Sequence, residues 1–304
     1  MKFTVEQWQP EYGAPAEDFD EEQAPESIDL DVELPAADWR GIAADRSRVA
    51  SRVIFVDGVR RIDARVWIEK DASLVMGLCA SCAAGIVVCD GTARVEHALV
   101  QRMLISPAPE GPIRTRHAVY EPLATPDDRL NTLMNGLAQG LSALEVRVSA
   151  MEGGVDLLLV DGPLRGREQI DGAVGYIKSH RVAYLPAEVA GVVPRLDASA
   201  RTPVFLVKTS WSRYSWYMRL PGGTGHPWAG IVRLEAPPNL SRHQVVDLAS
   251  VIAATIPAFA SQPHKDGRAP QNLYPIKGLE DALRARLGYA LLLHRSLVTV
   301  GSGN

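Results

Sequence analysis

Apolar and polar positions divide the chain into a strand-rich first third, one long amphipathic helix, and a second group of strands followed by helices. Two continuous apolar runs, Val53-Ile54-Phe55-Val56 and Leu157-Leu158-Leu159-Val160, both lead into Asp-Gly, as Asp57-Gly58 and Asp161-Gly162. A run closed in this way reads as a buried strand that stops at a turn, with its carboxylate at the strand end. From Val53 to Arg102 the pattern suits three successive strands: Val53–Val56, Ile62–Glu69, and Ala83–Asp90 with Ala93–Leu99 as a continuation or extra strand. Residues 106–128 are rich in Pro, Gly, Arg and His and read as a loop. Thr125-Pro126-Asp127-Asp128 then opens a helix on which Leu130, Leu133, Met134, Leu137, Leu141, Leu144 and Val148 recur at helical spacing, ending near Gly153-Gly154. The strand Val155–Val160 follows, then strands at Val204–Lys208, Ser215–Leu220 and Ile231–Glu235. A helix over Arg242–Pro257 and a closing helix from Leu279 to Leu292 complete the reading.

With 304 residues and 46% hydrophobic content the chain can bury a sizeable core as one large domain or two small ones. No apolar run reaches bilayer length, and Met1-Lys2-Phe3-Thr4-Val5-Glu6 lacks the basic-then-apolar pattern of a secretory signal, so a cytoplasmic protein without membrane partners is expected. Charge changes the picture more. Residues 1–38 hold twelve Asp and Glu against a single basic residue, Lys2, a charge of −11, so the rest of the chain carries +7 of the net −4. That remainder suits a polyanionic partner. The acidic segment is read as a flexible arm before a working unit of residues 39–304; it is a solvated tail, a docking element, or a nucleic-acid mimic over the basic surface.

The candidate chemistry starts from the two Asp-Gly pairs. Neighbouring buried strands would bring Asp57 and Asp161 to one edge, and like charges held together are costly unless protons or hard cations such as Mg²⁺ or Mn²⁺ neutralise them. The alternative is that Asp-Gly merely ends strands, as it often does. Glu145 lies at the edge of the helix's apolar stripe and could reach the same cleft or face solvent. Beyond the second run, Gly175-Tyr176-Ile177-Lys178-Ser179-His180-Arg181 supplies cationic donors that could hold phosphates. Trp211, Tyr214, Trp216 and Tyr217 interleave with Lys208, Arg213 and Arg219, a pattern that suits either stacking on unpaired bases or packing in a sheet. Cys79, Cys82 and Cys89 read as small buried hydrophobes, since a closed zinc site would lack ligands.

Three strands, a helix and a fourth strand, with carboxylates on the first strand, the helix and the fourth strand, is the arrangement of a ribonuclease H-like α/β sheet. The chain resembles the NurA family of DNA-repair nucleases, in its bacterial branch. The resemblance runs through Phe55-Val56-Asp57-Gly58, Leu144-Glu145, Leu159-Val160-Asp161-Gly162, Gly175-Tyr176-Ile177-Lys178-Ser179 and, most specifically, Arg268-Ala269-Pro270-Gln271-Asn272-Leu273-Tyr274-Pro275-Ile276. It implies a ribonuclease H-like mixed sheet flanked by helices, with additional strands and a C-terminal helix. It also implies a manganese-dependent nuclease (Mg²⁺ as the other candidate ion) that trims DNA 5′ to 3′, cuts single strands internally, and works as a homodimer beneath a hexameric HerA-type ATPase that feeds it DNA ends. The family's acidic residues carry onto Asp57, Glu145 and Asp161 as metal ligands, and its tyrosine onto Tyr274. Archaeal members carry a histidine further along the helix after that tyrosine. Here the region reads Lys277-Gly278-Leu279-Glu280-Asp281-Ala282, and Glu280 is the candidate substitute.

The expected mechanism is phosphodiester hydrolysis assisted by two ions about 4 Å apart, caged by Asp57, Glu145 and Asp161. Lys178 would stabilise charge on the scissile phosphate, Tyr274 would orient the water or a phosphate oxygen, and Arg165, Arg167, Arg181 and Arg213 would track the backbone. The rivals are a non-catalytic DNA-binding adaptor of a ring ATPase and, more weakly, a phosphotransferase. The chain has no Gly-x-x-x-x-Gly-Lys-Ser/Thr loop, and Gly222-Gly223-Thr224-Gly225-His226 reads as a hairpin or loop.

Overall fold

The computed structural model describes residues 1–6, 25–154, 156–168, 170–179 and 184–303. The strands are β1 (Phe3–Val5), β2 (Ser27–Asp29), β3 (Val53–Lys70), β4 (Ser73–Cys89), β5 (Ala93–Ser106), β6 (Ile113–Arg114), β7 (Val119–Ala124), β8 (Leu157–Asp161), β9 (Ala173–Ile177), β10 (Phe205–Lys208), β11 (Ser212–Arg219) and β12 (Ile231–Ala236). The helices are α1 (Leu130–Ser149), the single turn α2 (Ala187–Ala190), α3 (Arg242–Thr255), α4 (Tyr274–Arg286) and α5 (Ala290–Ser302). The strands form one mixed sheet of order β2-β10-β11-β12-β9-β8-β3-β4-β5-β7-β6, with β1 added along β3. Pairing is antiparallel from β3 through β5 and parallel from β3 to β8 and from β8 to β9.

The sheet is buried on both faces, which explains its continuous apolar runs. Ile54, Val56, Leu158 and Val160 point to the face covered by α1, where they meet Leu133, Leu137 and Leu144. Val53, Phe55, Leu157 and Leu159 point to the opposite face, against residues of α3 and α4 such as Ile252, Ile276 and Leu279. Among the described residues, no helix is long and apolar enough to cross a membrane.

Several expectations change. Val53–Val56 and Ile62–Glu69 are one strand of 18 residues, because Asp57 pairs with Gly85 and Gly58 with Ala84 and the pairing with β4 runs on past the dipeptide, its register shifting only between Ile62 and Ala64. The first Asp-Gly is therefore not a turn. The stretch 106–128 contains β6 and β7, and β7 extends the sheet parallel to β5. The closing helix is two helices; the break falls at Leu287-Gly288-Tyr289, where Arg61 and Arg102 donate to the carbonyls that the end of α4 leaves open. The segment between β11 and β12 is a hairpin connection, one of the two readings of the Gly222–His226 stretch.

Both described ends of the acidic N-terminal segment are built into the sheet, which corrects the picture of a flexible arm over those residues. β1 pairs with β3 and buries Phe3, and β2 pairs with β10. Glu33 accepts two hydrogen bonds from the buried Arg201, at 2.7 and 2.8 Å. Most of the acidic run itself lies outside the described residues.

The cysteines are free and buried, and they point into three separate parts of the core. They cannot converge on one ion. Burial also pushes the Cys82 thiol up to about 12 and that of Cys89 to about 11, away from the thiolate form that zinc requires.

Candidate active site

The parallel register Val53↔Leu157 through Val56↔Val160 carries the next residues, Asp57 and Asp161, side by side at the carboxyl ends of the paired segments. By strand alternation both project on the α4 face, with Tyr176 of β9. β8 does end at Asp161. Gly162 has φ +98°, a conformation that favours glycine, and donates to the Tyr176 carbonyl at 2.9 Å as the chain turns away.

Glu145 comes from the other face, on α1, and the first glycine makes its approach possible. A Cβ at Gly58 would lie 2.7 Å from Leu141 Cδ1 and 2.8 Å from Glu145 Oε1. The missing side chain thus opens the space through which a helix carboxylate meets the strand. Asp57 is 7% exposed and Glu145 1%. Burial raises the pKa of Asp57 well above the ordinary carboxylate value, with the negative charges of Asp161 and Glu145 adding to the rise and Lys178 opposing it. Glu145 is raised by burial as well, against the lowering effect of its ion pair with Arg167.

Cations surround this group. Lys178, just past β9, donates to Asp161 Oδ2 at 2.7 Å and to Asn272 Oδ1 at 3.3 Å. Asn272 is fully buried and donates in turn to Asp266. Tyr176 ties the same loop to the sheet by donating to the Gln271 carbonyl at 2.6 Å. The loop after β8 places Arg167 on Glu145, and Arg167 also donates to the Pro163 carbonyl at 2.9 Å. The other oxygen of Asp161, Oδ1, is buried without a hydrogen-bond partner. A bare carboxylate oxygen beside a second, raised carboxylate is chemically suited to a hard cation. The fit is incomplete as it stands: among the described residues no three His, Cys, Asp or Glu side chains are gathered in metal-holding positions.

The carboxylates lie on the floor of an open cleft of about 1720 Å³, lined also by Arg60, Arg165, Lys178, Arg268 and Arg284. Pockets for single small ligands span about 300–1,000 Å³, so this cleft accommodates something larger.

Of the residues singled out in sequence, Asp57, Glu145, Asp161, Lys178, Arg165 and Arg167 meet in the cleft. Tyr274 does not line it: it begins α4, is 36% exposed, and has the Lys265 ammonium 5.4 Å from its ring centroid. Glu280 lines the cleft, but one oxygen accepts from Arg284 at 2.8 Å and the other from Arg268 at 3.0 Å. Burial pushes its pKa up, and those two bonds outweigh that and hold it below the usual range. Arg181 lies outside the described residues.

Arg213 is corrected outright. It is 5% exposed, donates to Glu235 at 2.7 Å, and lies against the rings of Trp211 and Tyr184, so it is an interior ion pair and not a tracker of phosphates. Tyr214, Trp216 and Tyr217 are buried with it, which settles the aromatic pattern of β11 as core packing. Asn272 is the residue whose individual role sequence reasoning missed. Its only signal was membership of the Gln271-Asn272-Leu273-Tyr274 run.

No protein-family model matches the chain, and no curated protein matches it in sequence. Among solved structures it is similar to endonuclease V from Bacillus subtilis, with 11% identity, a TM-score of 0.37, and coverage of 80% of this chain and 83% of that one.

Proposed function

We propose that the protein is a metal-dependent deoxyribonuclease. The carrying observation is the side-by-side placement of Asp57 and Asp161 at the floor of a cation-lined cleft, with Asp161 Oδ1 buried and unpartnered. Asp57 and Asp161 would hold the ion, Mn²⁺ or Mg²⁺, and Glu145 would join them once Arg167 releases it. When bound, the ion supplies Lewis-acid activation of water and neutralises charge on the phosphate.

The chain's own residues do the rest. Lys178 Nζ, held between Asp161 and Asn272, would donate to a non-bridging phosphate oxygen as negative charge develops there. Water oxygen bonds to phosphorus, the bond from phosphorus to the leaving oxygen breaks, and that oxygen leaves with a proton. Arg165 and Arg268, on two different loops, bind flanking phosphates and fix the strand over the floor.

The finer reading takes in the ribonuclease H-like description, the NurA family, 5′ to 3′ trimming with internal cutting of single strands, DNA end processing in double-strand break repair, a homodimer, and a HerA-type hexameric ATPase. The sequence motifs support it, and so does the succession of three antiparallel strands, a helix and a parallel fourth strand. A second reading, a non-catalytic DNA-binding adaptor, is favoured by one observation: Lys178 and Arg167 already neutralise Asp161 and Glu145.

Labelled single- and double-stranded DNA incubated with Mn²⁺, Mg²⁺ or EDTA tests the proposal. Metal-dependent products that vanish in Asp57→Ala, with DNA binding retained, are the expected result. Binding without cleavage, with and without the ATPase, would select the adaptor.

A further inference from the structure

The loop after β8 brings two arginines to the cleft, Arg165 exposed in it and Arg167 on Glu145. An anchor of that loop lies two strands away. Glu235 of β12 is 1% exposed; its Oε2 accepts the Leu164 N–H at 3.2 Å, and its Oε1 accepts from Arg213 Nε at 2.7 Å. The contact crosses β9 at a glycine. Register sets Glu235 opposite Gly175, and Val174 and Tyr176 on either side of that glycine point to the α4 face, so Gly175 faces the α1 side, where Leu164 packs. A Cβ on Gly175 would stand 3.0 Å from both the Gly162 carbonyl oxygen and the Leu164 nitrogen. The missing side chain lets the loop lie directly on β9, within reach of β12. From Leu164 the chain turns at once, with the Arg167 N–H donating to the Leu164 carbonyl at 2.8 Å, so the seat of Leu164 sets the place of both arginines.

A buried ion pair contributes little net stability over apolar residues of the same volume, so stability alone gives no reason for Arg213 and Glu235 in the interior. What an apolar residue at position 235 could not do is accept the N–H of the buried Leu164. Arg213 aims that acceptor. Its Nη1 and Nη2 donate to Thr209 at 3.2 Å and to Tyr184 at 3.1 Å, and its guanidinium lies 4.9 Å from the Trp211 ring centroid, so the Nε that holds Glu235 Oε1 is itself fixed. The other oxygen is left to the loop. Resting on the reading that the cleft binds DNA, we infer that Glu235 is the positioning residue for the Arg165–Arg167 loop. Through Leu164 it sets where Arg165 meets a phosphate, without itself touching the strand.

The test is equilibrium binding of the full chain to a mixed-sequence single-stranded oligonucleotide, read by fluorescence anisotropy over a series of salt concentrations in EDTA, which prevents cleavage. Arg165→Ala and Arg268→Ala, on two different loops, should each lower the salt slope by about one in the wild-type background. The same two changes are then made in R213M/E235M, which replaces the ion pair by apolar side chains and removes the acceptor of Leu164. There Arg268→Ala should keep its full effect, whereas Arg165→Ala should lose most of its own. Gly175→Ala breaks the same contact from the side of β9 and leaves the ion pair in place, so it decides the question with the same expected result if R213M/E235M does not fold. A full Arg165→Ala effect in the folded variant would overturn the inference, and so would an equal loss of both arginines' effects, the mark of general damage to the fold. Neither result would disturb the nuclease reading. Failure of wild type to bind the strand would overturn both.

Discussion

The two Asp-Gly pairs are alike in sequence and opposite in structure. Asp57-Gly58 lies inside an 18-residue strand, and its glycine is needed for space, since a Cβ there would collide with Leu141 and Glu145. Asp161-Gly162 closes a strand, and its glycine is needed for backbone, since φ is +98° and the nearest atom to an added Cβ is Arg167 Nη1 at 3.9 Å. The first pair therefore builds the enclosed side of the site and the second its open side. Asp57 is almost wholly buried beside Asp161, with Glu145 approaching from the other face of the sheet, while Asp161 meets Lys178 at the cleft and keeps one bare oxygen. A single dipeptide can thus place a carboxylate by two unrelated physical means.

The largest expected effect breaks the enclosed side. Arg167→Ala removes the partner of a carboxylate that is almost wholly buried, and a loss of about 3 kcal/mol in denaturant unfolding is expected. Lys178→Ala, beside a more exposed partner, should cost clearly less. Equal losses would contradict the asymmetry.

The glycines come next. Gly58→Ala should cost about 2 kcal/mol by overpacking, and trimming Leu141 to alanine in the same chain should recover part of it, visible as a non-zero coupling in a double-mutant cycle. Gly162→Ala should cost about 1 kcal/mol through its backbone, with no coupling to Leu141.

The pH dependence separates the pairs more finely. Burial raises Asp57 and Glu145 in the folded state, with the charge of Asp161 adding to the rise at Asp57 and Arg167 opposing it at Glu145, so between the ordinary carboxylate range and those raised values the native state binds more protons than the unfolded one. Stability from these groups is present at acid pH and is lost as pH rises through their folded pKa values. Asp57→Asn, melted in chelator, should gain most over wild type at the alkaline end of the range. A gain that grows toward acid pH would contradict this. The smallest effect is Arg165→Ala, which should leave stability within about 0.5 kcal/mol.

Much of the candidate site's arrangement was legible because the placement of its residues in one cleft depends on local signals that a sequence carries. Apolar runs ending in Asp-Gly located Asp57 and Asp161, helical periodicity put Glu145 beside the buried stripe, and the apolar stretch before Lys178 brought it to a strand end. Breaker logic failed at Gly58, because a glycine required for room looks the same as one required for a turn. Arg213 was misread because its partner, Glu235, comes from a neighbouring strand, and only the sheet register brings the two together. The closing helix was drawn across Gly288 because the arginines that cap the break, Arg61 and Arg102, lie far away in sequence.

The proposed function requires that the two Asp-Gly carboxylates together bind one cation. Calorimetric titration of Mn²⁺ into wild type, Asp57→Asn and Asp161→Asn tests it most directly. Binding in wild type that weakens at least tenfold in each variant is the expected result. Equal binding in all three, or none in wild type, would contradict it.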